Sequence, residues 1–475
     1  MLSSFVNTVN GYLWGSVLIY MLTACGVWFT WRLKFIQIRH FGHMFSLLKG
    51  SRHGSSRGIS SFQALCTTLA ARVGTGNLMG VAVAISLGGP GAIFWMWVIA
   101  FVGMATAYAE SALGQLYKEK DEQGNYRGGP AYYMRKGLNS PALAITFSLC
   151  LFFGYGFVFS AVQANSITSA FEGSFGIDPM MSGIVITGFS AVIILGGLKR
   201  VARFSELAVP FMGIAYVVVV FSVLAINLDK IPAIIVLIFE SAFGLTEAGG
   251  GLVGAAIIHG VKRGLYSNEA GMGSSPNAAA AADPNPPHPA SQGYIQMLAV
   301  FFDTIVICSC TAFLILLMDS SPVNVEGIQL TQQALIAQVG SWGGDFITLA
   351  IMLFGFTSIV ANFAYADNNL KYLKMDHALG HWFLRIGFLG TLLYGAGASL
   401  GEMINLADMA TGLMTVVNVT ALFLLWKTVL IITQDYHQQL KSKILPSYQV
   451  SSKQEAALKL TPFIWRDKPG KEDNR

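Results

Sequence analysis

Inside an otherwise apolar stretch, Val73-Gly74-Thr75-Gly76-Asn77 sets two glycines, a hydroxyl and a carboxamide side by side. Glycine costs a helix interior roughly 1 kcal/mol relative to alanine, and backbone groups freed within a bilayer persist only where they face protein or a wet cavity. Such residues suit binding better than covalent chemistry. Amides at the start of a half-helix attract a carboxylate, and freed carbonyls attract a cation. A second interruption is read at Gly244 and Gly249-Gly250-Gly251, which break an apolar run between Ile234 and Ile258. Interrupted segments in corresponding positions of two halves point to a site at the membrane midplane. Gly76 with Gly80, and Gly250 with Gly254, also fit small-residue packing faces, and for the second run the two readings stand level. A nucleotide-phosphate loop is excluded, because no strand precedes the glycines and Gly80 comes four residues after Gly76, not three.

The elements that must hold these breaks are membrane helices. Of 475 residues, 53% are hydrophobic and 12% charged, with a mean hydropathy of +0.55. The apolar runs are about twenty residues long, enough to cross a hydrocarbon core of about 30 Å. Eleven spans are predicted, at 13–31, 62–86, 92–117, 144–170, 182–198, 206–226, 233–262, 291–318, 345–367, 382–398 and 404–432. Lys and Arg cluster in 32–57, 118–136, 199–203, 262–263, 371–385 and from Lys427 onward, leaving only Arg72 and Lys230 elsewhere. All these segments share one side if the N-terminus lies outside, and the positive-inside rule makes that side cytoplasmic. The basic excess thus reports topology, and no nucleic-acid partner is expected. No Lys or Arg precedes Leu13, so the first run is expected to remain as a helix.

Setting the first span aside leaves two sets of five, about 62–226 and 233–432, the arithmetic of an inverted repeat. The transporter domain is placed at 1–432, and 433–475, too polar to insert, is read as a cytoplasmic tail, partly disordered. Cys25, Cys66, Cys150, Cys308 and Cys310 all lie in apolar runs, as small hydrophobes in packing, with neither disulfide nor resident metal expected.

Three strings resemble the alanine/glycine:cation symporter family, also called sodium:alanine symporters: Val73–Asn77, Gly88-Gly89-Pro90-Gly91-Ala92-Ile93-Phe94-Trp95-Met96-Trp97, and Arg263-Gly264-Leu265-Tyr266-Ser267-Asn268-Glu269-Ala270-Gly271. The resemblance implies an all-α, polytopic, leucine-transporter-type fold with one extra helix before a five-plus-five inverted repeat. It also implies import of alanine or glycine with sodium, by a monomer without a cofactor in a bacterial inner membrane. On that pattern, Gly74, Thr75 and Gly76 hold the substrate carboxylate, and Gln163, Phe243 and Gly249 complete the pocket. Asn77, Asp303 and Thr304 ligate one sodium, and the Val73 carbonyl with Thr357 and Ser358 a second. The residues alone leave Thr357 and Ser358 equally open to bonding their own helix, and leave Gln163 open to an interhelical bond.

Two positions depart from the family pattern. Arg72 stands where a small neutral residue is usual, with Glu110, Glu240 and Glu247 as possible partners, and Asn362 stands where many members are aromatic. Glu110 is read as a snorkelling or structurally paired carboxylate at the inner end of its span. The rival functions are a proton-coupled or broader amino-acid transporter and, more distantly, a channel. Polar groups gathered at two breaks do not make the continuous polar lining a channel needs, and no Ser/His/Asp set or H-E-x-x-H helix suggests an enzyme.

Overall fold

The computed structural model describes residues 2–52, 58–194, 197–244, 251–318, 325–450, 458–461 and 464–465. Apolar runs become helices because only a helix pairs all its backbone groups within one segment. In chain order these are α1 (Ser3–Arg32), α2 (Ser61–Arg72), α3 (Gly76–Gly88), α4 (Gly91–Leu116), α5 (Pro141–Phe175), α6 (Pro179–Ile194), α7 (Val201–Ile226) and α8 (Ile231–Phe243). They are followed by α9 (Gly251–Asn268), α10 (Ser275–Ala281), α11 (Pro289–Leu316), α12 (Ile328–Val339), α13 (Trp342–Tyr372), α14 (Ala378–Gly397) and α15 (Leu400–Lys441).

Local chemistry sets several starts. Ser60 and Gln63 form a capping box ahead of α2, the ring of His288 accepts from the Ala290 amide ahead of α11, and Ser399 caps α15 through the Glu402 amide. At the centre, α4 packs against α9 and α11, while α5 packs against α13 and α14. The outer faces of α6 and α7 stay apolar and exposed, with Val185, Phe189, Leu207, Phe211 and Val218 pointing away from the protein. That is the surface a bilayer covers.

Among the described residues the anticipated spans fall largely on helix, but by length and hydropathy only seven described helices can cross a membrane, or eight counting the bent pair α2 and α3. The number eleven therefore stands as an expectation. The segment read as one span over 233–262 is instead two helices, α8 and α9, with Gly249 and Glu247 outside the described residues. Its polar end, treated as a loop, is interior. After α9 the chain runs through Glu269, Gly271 and Gly273, all at positive φ, and resumes as α10, with 266–282 almost wholly buried. Lys262 and Arg263 are likewise not loop charges, since both pair with Asp408 of α15.

Further differences lie at one end of the bundle. A small antiparallel hairpin, β1 (Glu119–Lys120) with β2 (Tyr126–Arg127), interrupts the all-helical pattern. Part of the polar tail is folded rather than loose. Trp465, 5% exposed, donates its indole N–H to the Leu116 carbonyl and stacks edge-on against Tyr448, and Thr461 donates to the Lys118 carbonyl.

Candidate functional site

The first break lies where the sequence places it. α2 ends at Arg72, Val73 is extended, and α3 leaves at 51° to α2. The amides freed by the bend meet side-chain oxygens: Gly74 N–H donates to Asn77 Oδ1 at 3.0 Å, and Thr75 N–H to Gln163 Oε1 at 3.1 Å. A side chain at either corner would displace its neighbours, side-chain tips at Gly74 and backbone at Gly76. A Cβ on Gly74 would lie 2.5 Å from Ser358 Oγ and 2.8 Å from Gln163 Oε1, and one on Gly76 would lie 2.9 Å from the Ser267 Cα.

That last contact identifies the second break. The element facing Gly76 is the end of α9 and the turn after it, and Tyr266 Oη lies 3.2 Å from Thr75 Oγ1. Tyr266 and Ser267, within the Arg263–Gly271 string, thus face Gly76 and Thr75 ahead of the turn at 269–274, whereas Gly249 and Gly250 lie outside the described residues. Between the two breaks lies a narrow polar cavity, walled by Arg72 and Gly76, Phe159 and Gln163, Glu269 and Asn362. Phe243 is not brought to it. Being 51% exposed, it packs on Phe94 and Trp95 at the far edge of α4. The signal that could have located the second break was Asn268-Glu269-Ala270-Gly271-Met272-Gly273, where polar residues and two glycines repeat the character of the first.

Beside the first break sits a buried carboxylate held by neutral donors. Asp303 lies on a widened, π-type turn of α11, Phe301–Cys308. Its Oδ1 accepts from Asn77 Nδ2 at 2.8 Å, and its Oδ2 from Ser267 Oγ at 2.8 Å and Thr304 Oγ1 at 2.7 Å. Asn77, Asp303 and Thr304 therefore meet as expected, joined by Ser267, which the sequence reading missed. One carboxylate among hydroxyl and carbonyl oxygens is a donor set suited to a hard cation, while Asn77 turns its amide nitrogen to the cluster and its Oδ1 to the Gly74 amide.

On the opposite side of α2, Ser358 donates to the Ala70 carbonyl at 2.7 Å and approaches the Val73 carbonyl at 3.4 Å. Both Ser358, at 2.9 Å, and Thr357, at 2.8 Å, also bond the Phe354 carbonyl of their own helix. The Ala70 carbonyl, invisible to any reading of side-chain types, belongs to this second oxygen cluster.

Arg72 is buried beneath the cavity. It donates to Ser275 Oγ at 2.6 Å and to the Gln296 carbonyl at 3.4 Å, and interacts electrostatically with Glu110, Glu269 and Asp303. Of the anticipated partners, Glu240 is exposed and Glu247 lies outside the described residues. Glu110 does not snorkel. It is fully buried and accepts from Asn418 Nδ2 at 2.9 Å.

The pattern of the sodium:alanine symporter family matches residues 1–450. The chain belongs to that family. The symporter is 44% identical over 443 residues to the probable sodium/glutamine symporter GlnT of Bacillus subtilis, covering 93% of this chain and 92% of that one. It is 38% identical over 450 residues to the sodium/alanine symporter AgcS of Methanococcus maripaludis, covering 93% and 98% respectively. Among solved structures, that of MhsT in complex with L-phenylalanine matches with a TM-score of 0.56 at 12% identity, over 80% of this chain and 93% of that one. At that identity the likeness speaks to the fold alone: the symporter is a multi-pass, leucine-transporter-type membrane protein.

Proposed function

We propose that the protein carries a small neutral amino acid, alanine or glycine, together with sodium, by alternating access about the two breaks. The observation that carries this reading is the pairing at Gly74 and Thr75. Two backbone amides, freed by a helix break, point at carboxamide oxygens of Asn77 and Gln163, positions that a substrate carboxylate is suited to share or take over. The Asp303 and Ser358 clusters lie on either side of the same break and would each accept sodium as cargo, coupling its entry to the backbone that holds the amino acid.

The distribution of Lys and Arg supports an N-terminus outside and a cytoplasmic C-terminus, as expected for a bacterial inner-membrane importer. The second repeat is better started at Gly251 than at 233, since α9, residues 269–274 and α10 then mirror α2, Val73–Thr75 and α3. The protein is taken as a monomer. Proteoliposomes with an imposed inward sodium gradient should concentrate alanine and glycine, and collapse of the gradient should abolish uptake. Uptake that is non-saturable, or indifferent to the gradient, refutes the proposal.

A further inference from the structure

Asn362 is a polar group of the site that the transport reading leaves without a role. It is carried on α13, is 1% exposed, and contributes to the wall of the cavity between the two breaks. Its amide nitrogen donates to Ser160 Oγ of α5 at 3.4 Å, which orients the group and leaves Oδ1 as the free end. That oxygen has no hydrogen-bond partner among the described residues. Buried acceptors are nearly always paired, and an unpaired one beside a cavity needs an explanation.

The rest of the wall does not supply a partner. Phe159 and Met272 are apolar, and none of the donors in the wall bonds it: Arg72 reaches Ser275 and Gln296 with its Nε unpaired, Tyr266 Oη lies against Thr75, and Gln163 meets the Thr75 amide through Oε1. The missing donor is therefore best supplied by what enters the cavity. A bound amino acid whose carboxylate faces the Gly74–Gly76 corner presents its side chain to the remaining wall, which includes Asn362.

We infer that Asn362 is a specificity-determining residue, and that among neutral amino acids of equal size the cavity prefers those whose side chain carries a hydrogen-bond donor, a hydroxyl or a carboxamide, which Asn362 Oδ1 accepts. This rests on the proposed amino-acid transport and extends its substrate class beyond alanine and glycine. The physical basis is asymmetric. A site with a buried acceptor rejects an analogue lacking the donor far more strongly than an apolar pocket rejects an added hydroxyl.

Two isosteric pairs isolate the donor from size: serine against 2-aminobutyrate, and asparagine against leucine. In competition with sodium-driven alanine uptake, at least one polar member should outcompete its apolar isostere by tenfold or more, and which pair responds shows whether hydroxyl or carboxamide is preferred. In Asn362→Leu that ratio should fall to within about threefold. Thermal-shift titration of the purified wild type with the same four compounds gives the ranking without relying on the variant's folding or on uptake. If neither polar compound outranks its isostere, or if the preference survives in Asn362→Leu, the inference is overturned. If alanine is concentrated normally while the isosteres rank equally, only the specificity inference fails. If no amino acid is taken up under a sodium gradient, the transport reading fails, and the thermal-shift ranking still decides the role of Asn362.

Discussion

Replacing Arg72 by glutamine tests how the buried charges at the two breaks are balanced. The guanidinium is 2% exposed, so its interactions are not screened by bulk water. Glutamine would lose the charged hydrogen bond to Ser275 at 2.6 Å, a contribution of about 1.5–3 kcal/mol. It would also leave Glu110, Glu269 and Asp303 without the positive charge they share. Breaking a buried charge balance by removing one partner costs about 3–5 kcal/mol. The two effects overlap, so the expected loss is about 3–5 kcal/mol in total, and sodium-driven alanine uptake should fall with it. Thermal unfolding of the purified variant in detergent, read beside uptake, measures both. Glu269→Gln or Glu110→Gln, each destabilising alone, should restore part of the loss in the Arg72→Gln background, with a coupling of about 1–3 kcal/mol. Glu240→Gln, at an exposed position, should be additive. If the doubles with Glu110 and Glu269 are additive within about 0.5 kcal/mol as well, neither carboxylate is coupled to Arg72 and the argument is wrong.

Other consequences are as direct. Asp303→Asn removes the one formal charge from the oxygen cluster at Asn77, and should raise the sodium concentration for half-maximal uptake at least tenfold. An unchanged sodium dependence would remove Asp303 from the cation path. Gly76→Ala puts a methyl group 2.9 Å from the Ser267 Cα, where backbone must move, and should cost about 1–3 kcal/mol and most of the uptake. Wild-type stability and transport in that variant would mean that the two breaks are not in close contact. Burial pushes the Lys118 ammonium from 10.5 down to about 7. Between those values the unfolded chain binds a proton that the folded one lacks, so stability should rise with pH through that window. Lys118→Met should flatten the slope of melting temperature against pH from 7 to 10, and an unaltered slope would show that Lys118 does not titrate there.

The sequence by itself determined the helical class, the first break and much of its surroundings. Two glycines with Thr75 and Asn77 inside an apolar run leave backbone amides that must find partners, and Gln163 is the side chain that meets one of them. Asn77, Asp303 and Thr304, joined only by family likeness, do converge. Only the tertiary structure decided the second break. Hydropathy weighs each residue against lipid or water, so the apolar α8 was taken for the first half of a span, and the polar 268–274 stretch for a loop outside it. That stretch is buried in protein between Ser267, on which Gly76 rests, and Ser275, which Arg72 meets. The same limit hid the Ala70 carbonyl, the contacts of Arg72 with Ser275 and Gln296, and the outward placement of Phe243. Each depends on which segment lies against which, and long-range packing leaves no trace in local composition or spacing.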